Sequence, residues 1–318
     1  MILRDWLDRG TAQLSAGPHP DRARRDAETL LLHVIGKNKA WLMTHIDEDF
    51  AGCTAIQYAG LLDRRAKGEP IQYILGECEF YGLPFRVTSD VLIPRPETEH
   101  LVEHAVRLIP AFDRRPKRSF EIRRIRPAFQ NGARRQKEGD PDNAGWPPRI
   151  LDVGTGSGCI AISIAHDWFE AEITAIDISG AALEVARSNA ESLGFADCIR
   201  FIQGDLLAPV AGERFEIIVS NPPYVPNTDR ALISVEVREY EPALALFAGP
   251  DSVDGLDIYR RLIPAAFAAL VSGGFLLLEI GFTQAPSIEK LFKTSGFQSV
   301  EFIADLQGIP RIAIGQRR

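Results

Sequence analysis

Three short stretches carry residues whose types and spacing could do chemistry. The first is Asn221-Pro222-Pro223-Tyr224, which ends the apolar run Phe215 to Ser220. Its two prolines fix φ at about −65° and remove two backbone donors. The carbonyls of Asn221 and Pro222 are thereby held in a stiff, non-helical run beside the Asn221 carboxamide and the Tyr224 ring. Such a group could hold a planar amide or amino group edge-on through two acceptors and face-on through the ring. Taken alone, it could equally be a proline-rich strand exit with an aromatic anchor.

The second stretch is Asp152-Val153-Gly154-Thr155-Gly156-Ser157-Gly158, which follows Arg149-Ile150-Leu151 and leads into an amphipathic run to Trp168. A strand, a glycine-rich turn and a helix open a nucleotide-type βαβ unit. The spacing is G-x-G-x-G, not the G-x-G-x-x-G of a dinucleotide pyrophosphate site, and the acid Asp152 would sit poorly beside phosphates. It suits a ligand with a cationic amino-acid moiety, such as S-adenosylmethionine. A tight turn whose glycines serve only helix–strand packing is the alternative. The third set is dispersed. Asp177 ends the run Glu172 to Ile176, 23 residues beyond Gly154, where a carboxylate can accept both hydroxyls of a ribose. Asp205 follows Ile199 to Gly204 and could bond an adenine amino group, with Leu206 over the ring face. Taken alone, Asp177 could equally be a solvated strand-end acid, and Asp205-Leu206 a simple strand-to-loop turn.

The elements that must position these residues follow from periodicity. Four apolar runs, at 149–153, 172–177, 199–203 and 215–220, read as parallel strands whose carboxyl ends share one edge of an open sheet, where ligands bind in such folds. Features at four successive strand ends are harder to explain as turns than any one alone. Ser179 caps a helix that stops at Gly194. A helix from Leu256 to Leu270 and a fifth strand from Phe275 to Ile280 follow. Ser299 to Ile303 and Arg311 to Ile314, joined across Gly308-Ile309-Pro310, predict an antiparallel closing pair. Residues 2–76 read as successive amphipathic helices, a small all-α domain. Between the lobes, Cys78 to Ile93 predict a hairpin turning at Gly82-Leu83-Pro84 and a further short strand at Val91-Leu92-Ile93.

The chain of 318 residues suits two domains, and 45% hydrophobic with 25% charged residues is ordinary for a globular protein. The net charge of −7 argues against wholesale nucleic-acid binding. Cys53, Cys78, Cys159 and Cys198 show no zinc spacing and read as core fillers of a reducing compartment. With no apolar run long enough to span a bilayer and no signal-like start, a cytoplasmic protein is expected. His100-Leu101-Val102-Glu103-His104 matches a zinc-protease pattern, but no third ligand is evident, and no metal is expected. From Asp113 to Glu138 there are ten Lys or Arg against three Asp or Glu. This predicts a mobile insertion over 113–148, with a basic arm reaching RNA or a ribosome-associated partner as the functional alternative.

The second lobe resembles the class I S-adenosylmethionine-dependent methyltransferases, α/β proteins with a Rossmann-like sheet and a reversed closing strand. The whole chain resembles the HemK-like protein-(glutamine-N5) methyltransferases that modify peptide chain release factors. The resemblance rests on Gly68 to Gly76, Leu92 to Glu99, Asp152 to Gly158, Asn221 to Tyr224 and Tyr240-Glu241-Pro242. It covers nearly everything except 113–148, and Leu206 stands where an aromatic is often found. It implies a helical substrate-recognition domain at 1–76, a hairpin linker at 77–95 and a methyltransferase domain at 96–318. It further implies a class 1 release factor as partner, methylated on the glutamine of its Gly-Gly-Gln loop; a monomer is expected. Cofactor binding falls to Asp152, Gly154, Thr155, Gly156, Ser157, Gly158, Asp177, Asp205, Leu206 and Asn221. The catalytic clamp falls to Asn221, Pro222, Pro223 and Tyr224. An adenine- or cytosine-amino methyltransferase of nucleic acid is the runner-up, since Asn-Pro-Pro-Tyr occurs there too.

Overall fold

A computed structural model describes residues 1–112 and 147–318. The expected insertion therefore lies outside the described residues, apart from Pro147 and Pro148. The chain divides into two compact units.

The first unit comprises Met1–Cys78, Val87–Ser89 and Arg230–Glu241. Five helices span Leu3–Ser15, Ala23–Ile35, Lys39–His45, Cys53–Ala66 and Ile71–Leu75. Their apolar stripes meet in a core that includes Leu7, Leu14, Leu30, Leu31, Tyr58 and Leu62. Gly10 makes the closest approach possible: a Cβ there would lie 2.4 Å from the Tyr58 hydroxyl oxygen. Ile56 is exposed to solvent. Arg230–Glu241 groups with these helices through a short helix, Val235–Tyr240. Glu236 on it accepts from Arg65 at 3.1 Å, and the same buried guanidinium donates to Asp26 at 2.7 Å. A charge buried this deeply is tolerable because it is paired on two sides.

In the second unit the Rossmann-like expectation holds. Strands β1 (Glu77–Phe80) and β2 (Leu83–Arg86) pair as a hairpin. The turn falls at Tyr81-Gly82, both with positive φ, one step earlier than expected, and Leu83 and Pro84 lie in the strand. Val91 to Ile93 form no strand, although Val91 and Ile93 are buried. The main sheet contains β3 (Arg149–Val153), β4 (Glu172–Asp177), β5 (Ile199–Gln203), β6 (Phe215–Ser220), β7 (Leu270–Glu279), β8 (Ser299–Ala304) and β9 (Pro310–Gln316). Their order is β5-β4-β3-β6-β7-β9-β8, all neighbours parallel except those of β9. The chain steps outward from β3 to β5, then returns to the other side of β3 with β6. That reversal opens the crevice where an α/β sheet receives a ligand.

Helices cover both faces, as near-continuous apolar parallel strands require. Leu101, Val102, Ile160 and Ile164 pack on Ile150, Ile217 and Val219. Tyr259, Leu262, Ile288 and Phe292 pack on Leu151, Ile218 and Leu276. The helix Cys159–Asp167 was expected to be amphipathic, yet every residue from Cys159 to Ala165 is buried. The helix Pro96–Leu108 lies against it and removes its solvent face. Of the four cysteines only Cys159 is buried, and Cys53 is exposed, so the core-filler expectation holds for one of them.

Candidate functional site

The end of β3 carries an acid that the fold does not satisfy. Asp152 is fully buried; its Oδ2 accepts the Thr155 hydroxyl at 2.6 Å, while its Oδ1 has no hydrogen-bond partner. Burial pushes the carboxyl up to about 7, against the pull of the Thr155 hydroxyl and the Ala161 backbone N–H. The Ser157 hydroxyl is likewise buried without a partner. Gly154 and Gly156 take φ values of 76° and 56°, and a Cβ on either would project into open space. A Cβ at Gly158 would instead meet that of Ala186 at 3.1 Å, so the third glycine serves packing. Orphaned polar atoms beside an open glycine cradle fit a ligand that brings a cationic amino group, as S-adenosylmethionine does.

Asp177, half-buried at the end of β4, is joined to this loop. Its Oδ2 accepts the Gly156 N–H at 2.8 Å and its Oδ1 the Ser179 N–H at 2.9 Å. Burial raises its pKa and these amides oppose the rise. The Ile178 N–H is a third donor to this carboxyl, which leaves room for a further one among its roughly four acceptor sites. Asp205 is exposed and forms a surface ion pair with Arg261. Leu206 adopts φ 49°, unusual for a branched residue, and packs half-buried against the Leu151 and Val153 cluster.

The tetrapeptide leaves β6 beside the β3 end, with Ser220 in register with Val153 and its hydroxyl donating to the Val153 carbonyl at 2.6 Å. Pro222 is buried; Asn221, Pro223 and Tyr224 are half-buried. Asn221 Nδ2 donates to Thr98 Oγ1 at 3.1 Å, and that hydroxyl donates to Glu279 Oε2 at 2.6 Å. The loop beyond is tied by Gln284, whose Nε2 donates to the carbonyls of Tyr224 and Asp254, both at 3.1 Å, while its Oε1 accepts from Gly281 at 2.9 Å. Burial, reinforced by Glu279, pushes the Tyr224 phenol up, so it stays protonated and cannot serve as a base near neutrality.

The fold thus brings Asp152 to Gly158, Asp177 and Asn221 to Tyr224 together around the crevice, and leaves Asp205 tied to Arg261. Sequence reasoning missed Thr98, Glu279, Gln284 and Asn189. Glu279 had a signal, an acid closing an otherwise apolar strand; Asn189, a polar residue on the inner stripe of its helix Gly180–Leu193, had a similar one. Its Nδ2 donates to the carbonyls of Ser157 (2.8 Å) and Arg86 (3.0 Å), and its Oδ1 accepts the Arg86 N–H (2.8 Å). One buried carboxamide therefore stitches the glycine loop to β2. Asn189→Ala leaves these groups unmet and should cost roughly 3 kcal/mol. Urea unfolding reads this as a lower midpoint at unchanged slope; an unchanged midpoint excludes the stitching role.

The PrmC N-terminal domain model matches residues 5–76, and the methyltransferase small domain model matches residues 143–237. Curated relatives named release factor glutamine methyltransferase match almost end to end. The Koribacter versatilis protein is 35% identical, covering 100% of this chain and 99% of its own. The Deinococcus radiodurans protein is 38% identical with the same coverage, and that of Bradyrhizobium diazoefficiens is 39% identical over 94% and 89%. Among solved structures, the hMettl16 catalytic domain superposes with a TM-score of 0.52 at 14% identity, covering 83% of this chain and 82% of that one. That likeness speaks to the fold alone. Among the described residues, no helix is long and apolar enough to cross a membrane.

Proposed function

The chain belongs to the release factor glutamine methyltransferase family, and we propose that it moves a methyl group from S-adenosylmethionine to the side-chain amide nitrogen of the Gly-Gly-Gln glutamine of a class 1 release factor. The observation that carries this reading is the Asn221 carboxamide, held by Thr98 at the exit of β6 beside the orphaned Asp152. The helical unit at 1–76 is read as the part that recognises the release factor, 77–95 as a linker and 96–318 as the catalytic part. A cytosolic site of action belongs to the same reading.

An amide nitrogen is a poor nucleophile because its lone pair is delocalised into the carbonyl. Two acceptors, the Asn221 side-chain oxygen and the Pro222 carbonyl, can each take one N–H and fix the direction of that lone pair. The Tyr224 ring holds the amide plane. The cofactor supplies a methyl group on a sulfonium. When bound, it would give that methyl group to the amide nitrogen, its sulfur keeping the electron pair of the broken S–CH3 bond, and the nitrogen would release one proton to solvent. No strong base is required before attack, in keeping with the protonated Tyr224 phenol. Rate enhancement rests on positioning and preorganised dipoles. Asp152 and Ser157 would hold the amino-acid end of the cofactor and Asp177 its ribose.

Incubation with methyl-labelled S-adenosylmethionine and either purified release factor or nucleic acid tests the substrate. Label is expected on the release factor and lost when its Gly-Gly-Gln glutamine is replaced by alanine. Label on nucleic acid with none on release factor overturns the reading.

A further inference from the structure

We propose that Thr98 and Glu279 are positioning residues that set the Asn221 carboxamide with its oxygen facing the reacting amide. A hydroxyl has one proton to give. At 2.6 Å from Glu279 Oε2, the Thr98 proton is committed to that carboxylate. What remains towards Asn221, 3.1 Å away, is a lone pair, and only the NH2 end of a carboxamide can face it favourably. The Oδ1 end is then turned outward. Reversing the carboxamide would set oxygen against oxygen at Thr98 and present a donor to an incoming amide N–H.

Three elements meet to build this relay. Thr98 lies in the first turn of the helix Pro96–Leu108, where Pro96 sets the start. Glu279 ends β7 next to β6; Ser220 and Leu278 are in register, so Asn221 and Glu279 leave their strands at the same level. The Tyr259 hydroxyl donates to the Glu279 carbonyl at 2.7 Å and fixes its backbone. Burying a carboxylate is costly. A group retained at that cost, with its hydrogen bond passed on to the clamp, is better explained by directing Asn221 than by stability.

The polarity holds only while Glu279 is charged. A neutral carboxyl can donate to Thr98 Oγ1, which frees the threonine proton to face a reversed Asn221 oxygen. Burial pushes this carboxyl up to about 7, opposed by the Thr98 hydrogen bond and by Arg311 on β9 and Arg95 before the helix, and reinforced by Glu97. Tyr224 and Tyr259 also face it and stay protonated. Turnover should therefore fall as pH drops through about 7.

The inference rests on the reading of Asn221 as the amide clamp, and the experiment separates the two. Turnover of purified release factor is measured for the full chain at saturating cofactor across pH 6 to 9, with cofactor affinity measured separately. Thr98→Val should lower kcat about tenfold, the scale of one lost hydrogen bond, with cofactor affinity unchanged. Thr98→Ser should restore most of it. Glu279→Gln should remove the acid limb, because an amide does not titrate. Loss of activity in Asn221→Ala with wild-type kcat in Thr98→Val overturns the relay and leaves the clamp standing. Full activity in Asn221→Ala removes the clamp and the relay with it. If Thr98→Val does not fold, Glu279→Gln decides, and an unchanged acid limb counts against the relay.

Discussion

Replacing Asn221 with alanine should lower kcat by roughly two to three orders of magnitude while leaving cofactor affinity within about twofold, the loss seen when one preorganised hydrogen-bonding group leaves a reacting centre. The separation follows from geometry. The Asn221 side chain bonds to Thr98, not to the glycine loop, whose contacts run instead to Asp177 and Asn189. The lost interaction strengthens as the amide nitrogen is drawn towards the methyl group, so kcat and kcat/KM fall together. Asn221→Asp sharpens the test. If a bare acceptor were sufficient, aspartate would restore activity. With the Thr98 proton already given to Glu279, a carboxylate at 221 meets a lone pair at 3.1 Å and should be no better than alanine. Single-turnover rates and calorimetric titration of the cofactor distinguish these outcomes; unchanged turnover in Asn221→Ala would falsify the clamp.

The parts of this site legible in the sequence are those that repeat or punctuate. Apolar runs located β3 to β6, the glycines marked the cradle, and the acid after β4 and the Asn-Pro-Pro-Tyr exit stood at strand ends where a doubly wound sheet binds ligands. What could not be read is partnership across distance. Thr98 and Glu279 are separated by 181 positions and become neighbours only because a helix start is laid against the end of β7. Periodicity also misjudged Cys159–Asp167, since a second helix seals the face that its polar residues suggested was open. Arg230–Glu241 groups with the helical unit through a paired, buried Arg65, and an arginine in a helical pattern gives no sign of being buried. The surface ion pair of Asp205 with Arg261 is of the same kind, since Arg261 lies on another element.

Asp152 yields the other large effect, and here stability and binding move in opposite directions. Its carboxyl titrates near 3.8 when unfolded and at about 7 in the fold, because burial disfavours the charge. The folded state therefore holds more protons between these values. By linkage, stability falls as pH rises through that window, and the full cost is present above the upper value. A difference of about three pKa units corresponds to at most about 4 kcal/mol. Asp152→Asn removes the ionisation, so the ligand-free variant should melt at or above the wild-type temperature at pH 8 and lose this part of the pH dependence. A cationic amino group bound at the orphaned Oδ1 relieves the same cost in the wild type. Cofactor should thus stabilise wild-type protein more at pH 8 than at pH 6, with affinity about tenfold weaker at the lower pH. In the variant the charge pair is absent, and affinity should drop roughly a hundredfold or more. Thermal melts with and without S-adenosylmethionine at the two pH values read all of these together. A variant that binds cofactor as tightly as the wild type would show that Asp152 is buried for some reason other than holding that amino group.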